Sequence, residues 1–153
     1  MSFQELFKEE LIELDIQSHD KIDFFERISS ELVEKGYVEN SFREAIIARE
    51  NIYPTGLQLD GFAVAIPHTD VVHIKKPFVA IKRLVEDIDF YQMGTDDVVV
   101  PVKDILILGI KEPKNQVGLL SDLMSCFADS EFVRKYRSVN TKESIIDLIN
   151  NSI

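Results

Sequence analysis

The amino-acid sequence predicts an α/β fold in which helices flank a mixed, largely buried β-sheet. Apolar segments rich in branched residues predict strands, because such side chains pack well on a pleated surface that is covered on both faces. Segments with apolar residues at helical spacing precede and follow these strands, an alternation typical of helices packed on a sheet. No Gly/Ser-rich linker, repeat or low-complexity segment interrupts the 153 residues, so we expect one domain over residues 1–153.

The first third of the chain predicts a short strand and two helices. Residues 9–14 alternate enough to indicate the strand. The segment DKIDFFERISSELVEKG follows with apolar residues at helical spacing, with Ser18 as the expected N-cap and Gly36 as the expected stop. The second helix, NSFREAIIARE, begins at Ser41, and Glu44 three residues later predicts a capping box.

A turn at YPTG separates these helices from a region of apolar strands. We predict strands at residues 62–66, 77–85 and 104–110, and a loop over the polar residues 87–97. Three amphipathic helices are then expected, at residues 116–128, 129–139 and 141–153. The apolar stripe expected on the first of them contains Val117, Leu120, Leu123, Met124 and Phe127.

Composition and charge limit the classes of partner. Asp and Glu total 27 against 17 Lys and Arg, which gives a formal charge of −10. Nucleic acids and anionic membranes attract clustered cations, so this balance disfavours both as ligands. The longest apolar run, Ile105 to Ile110, is far shorter than the ~20 residues that span a bilayer, and no signal peptide is indicated. The single cysteine, Cys126, excludes an internal disulfide and a multi-thiolate zinc site, so we expect a cytoplasmic protein.

His68 is the first candidate for a chemical role. The apolar run FAVAI stops at Pro67, which has no N–H and cannot lie within a ladder of strand hydrogen bonds. His68 is therefore expected just past the carboxyl end of a buried strand, where ligands and reacting groups collect in open α/β sheets. From the spacing alone, an ordinary loop histidine remains the alternative.

A second histidine, His73, follows five positions later and raises the alternative of a metal site. That separation places two side chains on opposite faces of a strand, and out of register on a helix. No third ligand is indicated, because Asp70 is the only carboxylate between the two histidines. The pattern therefore disfavours a metal.

Arg49 and Glu50 end the second predicted helix, directly before the YPTG turn. A guanidinium is always charged, and its fork of donors suits phosphate oxygens. A cation is also favoured at the carboxyl end of any helix, so a plain surface arginine stays open as an interpretation. Glu50 is interpreted as either an ion-pair partner or a solvated charge. No glycine-rich phosphate loop indicates a nucleotide site.

The segment ARENIYPTGLQLDGFAVAIPHTD resembles the active-site region of the fructose/mannitol-type EIIA proteins of the bacterial phosphoenolpyruvate:sugar phosphotransferase system. The shared pattern is an Arg-Glu pair, a PTG turn, a glycine and a strand that ends in IPH. The resemblance continues through the strand–helix segment ILILGIKEPKNQVGLLSDL to the helical tail. It implies a mannitol-EIIA-like α/β sandwich and a phosphocarrier function.

In that family the histidine of the IPH motif accepts a phosphoryl group from the phosphocarrier HPr and passes it to a cysteine of the cognate EIIB. The resemblance assigns this role to His68, as a tele-phosphohistidine, and phosphate stabilisation to Arg49. Mannitol-like members have a second histidine where this sequence has Gln116, which becomes a candidate neutral donor near a helix N-terminus. A PHxxxxH arrangement and a later glutamine are typical of the galactitol-type branch, so His73 is a candidate helper.

The resemblance thus implies a cytoplasmic phosphotransferase component that drives sugar uptake without a metal or nucleotide cofactor. Its partners would be HPr and the cognate EIIB, with the membrane transporter EIIC engaged indirectly and a galactitol-like sugar favoured. A phosphoryl group adds about −1.5 to −2 charge, for which Arg49 is the nearest cation that the motif supplies. The alternative is a regulatory EIIA-like module whose phosphohistidine state controls a protein partner.

Overall fold

The computed structural model describes residues 3–153 and has one five-stranded sheet. The strands are β1 (Phe7–Ile16), β2 (Gly56–Leu59), β3 (Phe62–Ala65), β4 (Phe78–Tyr91) and β5 (Val99–Gly109). The helices are α1 (Lys21–Glu34), α2 (Phe42–Ile52), α3 (Pro113–Ala128), α4 (Ser130–Ser138) and α5 (Lys142–Ser152), with short 3₁₀ turns at Gln4–Leu6 and Val71–His73. The predicted helices and strands occur in the predicted order, with β2 and the two 3₁₀ turns in addition.

The sheet is mixed, in the order β1-β4-β5-β3-β2, which confirms the predicted fold class. β1 pairs in parallel with β4, and β3 in parallel with β5, whereas the β2–β3 and β4–β5 pairs are antiparallel. Alternate side chains of β5 enter different apolar clusters, as the two-residue period of a strand requires. Ile105 and Ile107 pack with buried residues of α1 and α2, whereas Leu106 and Leu108 pack with those of α3, α4 and α5. Helices thus cover both faces of the sheet.

The long β4–β5 hairpin differs from the prediction. Residues 87–91 continue β4 where a loop was predicted, and β5 begins at Val99. Ile88 and Phe90 are buried while Asp87 and Asp89 are exposed. The segment DIDF is therefore an alternating strand with one apolar face, and its acidic residues hid that pattern. The short strand β2 was missed because it begins within the predicted YPTG turn.

The helix starts are also corrected by the structure. Asp20 caps α1, not Ser18, since its carboxylate accepts from Asp23 N–H at 2.9 Å. Ser41 precedes α2 as predicted, but its hydroxyl makes no capping bond, so the expected capping box with Glu44 does not form. Gly36 follows α1 with φ +82°, which confirms it as the stop, because glycine enters the left-handed region at no steric cost.

α3 begins three residues earlier than predicted, with Pro113 at its first position, where a missing N–H costs nothing. Its fully buried stripe contains Leu119, Leu123 and Phe127, whereas Val117 is 71% exposed and lies outside the stripe. Within residues 3–153, no helix has both the length and the apolar character needed to cross a membrane.

Candidate active site

His68 lies three residues beyond the carboxyl end of β3, as the sequence predicts. Its backbone forms an isolated parallel bridge with Leu108 of β5, and the Leu108 N–H donates to the Pro67 carbonyl at 3.0 Å. Proline lacks a donor but keeps its acceptor, so Pro67 ends the strand without breaking its alignment with β5. The backbone of His68 is therefore held by the sheet.

The imidazole of His68 is 9% exposed, and its Nδ1 lies 3.0 Å from the carbonyl oxygen of Ile66. A carbonyl can only accept, so Nδ1 carries the proton and Nε2 keeps its lone pair. Burial lowers the pKa of His68 from its usual 6.5; the charge of Arg49 also lowers it, while the Ile66 hydrogen bond and Asp70 oppose the shift. The ring is therefore neutral near pH 7, with Nε2 unprotonated.

Arg49 lies in the last turn of α2, close enough for its charge to act on the His68 ring. Its Nη1 donates to Asp70 Oδ1 at 3.1 Å, and its guanidinium lies over the Tyr53 ring at 5.0 Å. Its Nε is buried, and nothing in residues 3–153 accepts a hydrogen bond from it. Buried donors are rarely left unpaired, so this guanidinium has capacity for an anion.

Glu50 is a buried acceptor, 2% exposed, and both sequence-based interpretations of it are wrong. Its two carboxylate oxygens accept from the Thr55 N–H at 2.7 Å and from the Thr55 hydroxyl at 2.8 Å. Burial raises the pKa of Glu50, and the two Thr55 hydrogen bonds lower it again in part. The carboxylate thus fixes the PTG turn from within.

The turn held by Glu50 is joined to the histidine through the backbone. The Thr55 carbonyl accepts from the Ile66 N–H at 3.2 Å, and the Ile66 carbonyl faces His68 Nδ1. A continuous path of hydrogen bonds therefore runs from Glu50 to the imidazole. The sequence signal for this path was the glutamate beside Arg49 followed by PTG, but nothing in the spacing indicated that the glutamate was buried.

His73 is placed by a different partner. Its Nδ1 lies 2.8 Å from the Ser41 hydroxyl, and its carbonyl accepts from the Glu39 N–H at 2.9 Å. These contacts anchor the loop after His68 to the start of α2, and they account for the unused cap at Ser41. Among residues 3–153, no three or more His, Cys, Asp or Glu side chains are grouped to hold a metal ion.

Gln116 lies in the first turn of α3, half-buried, with its backbone N–H donating to the Glu112 carbonyl at 3.2 Å. The side-chain hydrogen bonds described for residues 3–153 do not join Gln116 to His68 or Arg49. The structure therefore places Arg49 and its partner Asp70 close enough for both charges to act on His68, and it shows no hydrogen bond from the Gln116 side chain to His68 or Arg49 within residues 3–153.

Exposed apolar side chains lie on the segments that carry Arg49 and Asp70. Ile52 and Tyr53 follow Arg49 at the end of α2, and Val72 lies in the 3₁₀ turn after Asp70. The start of α3 is tied to the same loop, because Lys111 Nζ donates to the Ile74 carbonyl at 2.7 Å. Ile52, Tyr53 and Val72 are called the exposed apolar rim below.

Comparison with known proteins matches this chain to one family. The family model described as "Phosphoenolpyruvate-dependent sugar phosphotransferase system, EIIA 2" matches residues 5–152. The galactitol-specific EIIA component of Escherichia coli strain K12 is 32% identical over 114 residues, which are 74% of this chain and 75% of that protein.

Two solved structures share the fold. The nitrogen regulatory protein IIA-Ntr of Neisseria meningitidis has a TM-score of 0.74 and 25% identity, over 96% of this chain and 98% of that one. The mannitol IIA in complex with phosphorylated mannitol IIB of Escherichia coli has a TM-score of 0.74 and 19% identity, over 93% and 95% of the two chains. The predicted mannitol-IIA-like sandwich is thereby confirmed.

Proposed function

Because this chain belongs to the EIIA 2 family of the phosphoenolpyruvate-dependent sugar phosphotransferase system, we propose that His68 is its phosphoryl acceptor. The hydrogen bond between His68 Nδ1 and the Ile66 carbonyl is the observation that carries this proposal, since it leaves Nε2 with a lone pair. The product would be a tele-phosphohistidine. The match over residues 5–152 also supports one EIIA unit occupying residues 1–153.

The proposed transfer needs no cofactor from this chain. The Nε2 lone pair attacks phosphorus, and the bond from phosphorus to its atom on phospho-HPr breaks, with the electron pair staying on HPr. In the second step a cysteine thiolate of EIIB attacks the same phosphorus, and the electron pair of the P–N bond returns to Nε2. Such reactions ask the protein chiefly for alignment and charge stabilisation. The chain would thus act as a phosphotransferase component.

Arg49 supplies the charge stabilisation in this proposal. Its Nε is buried without an acceptor among residues 3–153, and its positive charge already acts on the His68 ring. A phosphoryl group on Nε2 would bring oxygens with about −1.5 to −2 charge toward that donor. A guanidinium held by the Tyr53 ring has lost part of its freedom before the phosphoryl group arrives, which strengthens each bond that it then makes.

His73 and Gln116 have supporting roles in the proposal. His73 would fix the loop that carries His68 and Asp70, through its contact with Ser41. Gln116 would offer a neutral amide donor from the first turn of α3, where a negative group is favoured by the helix dipole.

The exposed apolar rim would receive both protein partners in turn. HPr and the cognate EIIB must each reach His68, and an apolar surface around a reactive group suits a transient interface. The Escherichia coli mannitol IIA forms such a complex with phosphorylated mannitol IIB. EIIC would be engaged only through EIIB, in the cytoplasm, and the 32% identical relative supports a galactitol-like sugar.

The experiment is phosphotransfer with phosphoenolpyruvate, enzyme I and HPr. We expect the wild-type chain to become phosphorylated and His68→Gln to remain unlabelled, with His19→Gln, a change at an exposed histidine near the start of α1, as the matched control. Label that persists in His68→Gln would exclude this acceptor. Passage of the label to a cysteine of a galactitol-type EIIB tests the second step.

A regulatory function is the second candidate, favoured by the 25% identity to a nitrogen regulatory IIA-Ntr. In that case the phosphohistidine would control the binding of a protein partner. Affinity capture with phosphorylated wild-type protein and with His68→Gln separates the two: recovery of an EIIB supports transport, and state-dependent recovery of a regulator or kinase supports signalling.

A further inference from the structure

Asp70 is the anionic partner of Arg49 in the unphosphorylated site. The Arg49 Nη1 to Asp70 Oδ1 distance is 3.1 Å, and the Asp70 side chain is 75% exposed. Ion pairs in contact with water contribute little net free energy, because solvent screens them and the side chains lose freedom. The contact is therefore weak enough for Arg49 to exchange Asp70 for another anion.

The backbone keeps Asp70 close to His68. The Asp70 carbonyl accepts from the Thr69 hydroxyl at 3.1 Å and from the His73 N–H at 3.3 Å, and Asp70 starts the 3₁₀ turn. Its negative charge acts on the His68 imidazole, where it favours the cation. The same negative charge would repel a phosphoryl group bound to that ring.

Two anions would then share one guanidinium. A phosphoryl group on His68 carries about −1.5 to −2 charge, Asp70 carries −1, and Arg49 offers one positive charge between them. Arg49 Nη1 donates to Asp70, while Nε has no acceptor within residues 3–153. A phosphoryl group could therefore take Nε without displacing Asp70, but the two anions would compete for the single positive charge of the guanidinium.

We propose that Asp70 is a counter-anion that competes with the phosphoryl group for Arg49 and so limits the stability of phospho-His68. This inference rests on the proposed function, and it assigns Asp70 a part that acceptance by His68 does not require. A carrier that binds its phosphoryl group too tightly would accept it readily and release it slowly. Asp70 thus favours the second transfer, in which the P–N bond breaks and its electron pair returns to Nε2.

The test measures the equilibrium between phospho-HPr and the phosphorylated chain, in wild type and three variants. Asp70→Asn should move this equilibrium about fivefold toward phospho-His68 and slow its loss to EIIB by a similar factor. Asp70→Glu keeps the charge and should restore values near wild type. Asp60→Asn is the matched control, because Asp60 is exposed in the turn between β2 and β3, at the opposite end of β3 from His68.

The outcomes separate the inference from the proposed function. An unchanged equilibrium in Asp70→Asn, or a shift toward phospho-HPr, would overturn the role of Asp70 while wild-type phosphorylation at His68 upheld the acceptor. An equal shift in Asp60→Asn would show a net-charge effect and would also overturn it. A wild-type chain that takes no phosphoryl group at His68 would overturn both.

Discussion

Arg49 and Arg83 each pair with an aspartate and lie over a tyrosine ring, but only Arg83 has an acceptor for every guanidinium nitrogen. Arg83 Nε donates to Asp104 at 3.0 Å, and its Nη1 and Nη2 donate to the carbonyls of Val139 and Tyr136 at 2.6 and 2.9 Å. Arg49 donates to Asp70, and its buried Nε lacks an acceptor within residues 3–153.

The surroundings of the two ion pairs explain the difference. Arg83 and Asp104 face each other across the β4–β5 pair, with side chains 18% and 11% exposed. Arg49 and Asp70 lie at the edge of the sheet, with side chains 33% and 75% exposed. Arg83, with every nitrogen bonded, joins the sheet to the end of α4 and the residue after it. Arg49, at the edge of the sheet and with an Nε that is unbonded within the described residues, retains capacity for a ligand. The number of hydrogen bonds that each guanidinium makes, and not the residue type, therefore distinguishes these two arginines.

The largest expected effect comes from Arg49→Gln. Loss of the Arg49 cation should lower the rate of phosphoryl transfer to His68 by a factor on the order of 10² to 10³. Its ion pair is exposed, so the free energy of unfolding should change by less than about 1 kcal/mol. Rapid-quench kinetics and urea unfolding measure the two quantities. A transfer rate within twofold of wild type would show that Arg49 has no part in phosphoryl transfer.

The matched change, Arg83→Gln, should have the opposite pattern. It leaves two carbonyls and the largely buried Asp104 carboxylate with fewer donors, which should lower the free energy of unfolding by about 2–3 kcal/mol. The transfer rate of the folded protein should stay near wild type. Slow transfer at a temperature where the variant is fully folded would contradict the distinction between the two arginines.

A smaller effect is expected from Thr55→Val, which tests the hydrogen-bond path to His68. Valine has a similar shape but lacks the hydroxyl that donates to Glu50, so the free energy of unfolding should fall by about 1–2 kcal/mol. The backbone carbonyl of Thr55, which valine keeps, accepts from the Ile66 N–H, so a turn loosened by the lost bond to Glu50 should shift Ile66 and slow transfer to His68 by several-fold. Thr55→Ser keeps the hydroxyl and should retain the wild-type rate. Equal transfer rates in both variants would show that the contact between Glu50 and Thr55 contributes to stability and not to phosphoryl transfer.

The smallest expected effect is a shift in the pKa of His68. The pKa of His68 should lie below 6.5, because burial and Arg49 disfavour the imidazolium. Below about pH 6.5 the His68 ring then binds a proton more readily in the unfolded chain than in the folded one. The contribution of His68 to the free energy of unfolding therefore falls as the pH drops. NMR titration should show the pKa rising in Arg49→Gln and unchanged in Arg83→Gln. A His68 pKa above 6.5 in the wild-type protein would contradict the neutral acceptor.

The local features of the site could be predicted from the sequence. Pro67 has no N–H to donate to a neighbouring strand, so the place of His68 just past a strand end follows from its immediate neighbours. The position of Arg49 at the end of α2 follows from helical periodicity and the turn after it. The resemblance to EIIA proteins added the roles of both residues, which spacing alone left open.

The features that were missed depend on contacts between distant segments. Ser41 looks like the start of a capping box, but its hydroxyl bonds to His73, 32 residues later. Glu50 looks exposed in an acidic chain, yet it lies buried against Thr55. No spacing rule contains these tertiary contacts. Asp70 was noticed only as the single carboxylate between the two histidines, although its partner in the structure is Arg49.

The most direct test of the account is NMR of the His68 ring nitrogens, in the free chain and after phosphorylation by phosphoenolpyruvate, enzyme I and HPr. We predict a proton on Nδ1 in both states, held by the Ile66 carbonyl, and a phosphorus–nitrogen coupling at Nε2 after phosphorylation. A phosphoryl group on Nδ1, or on a residue other than His68, would contradict it.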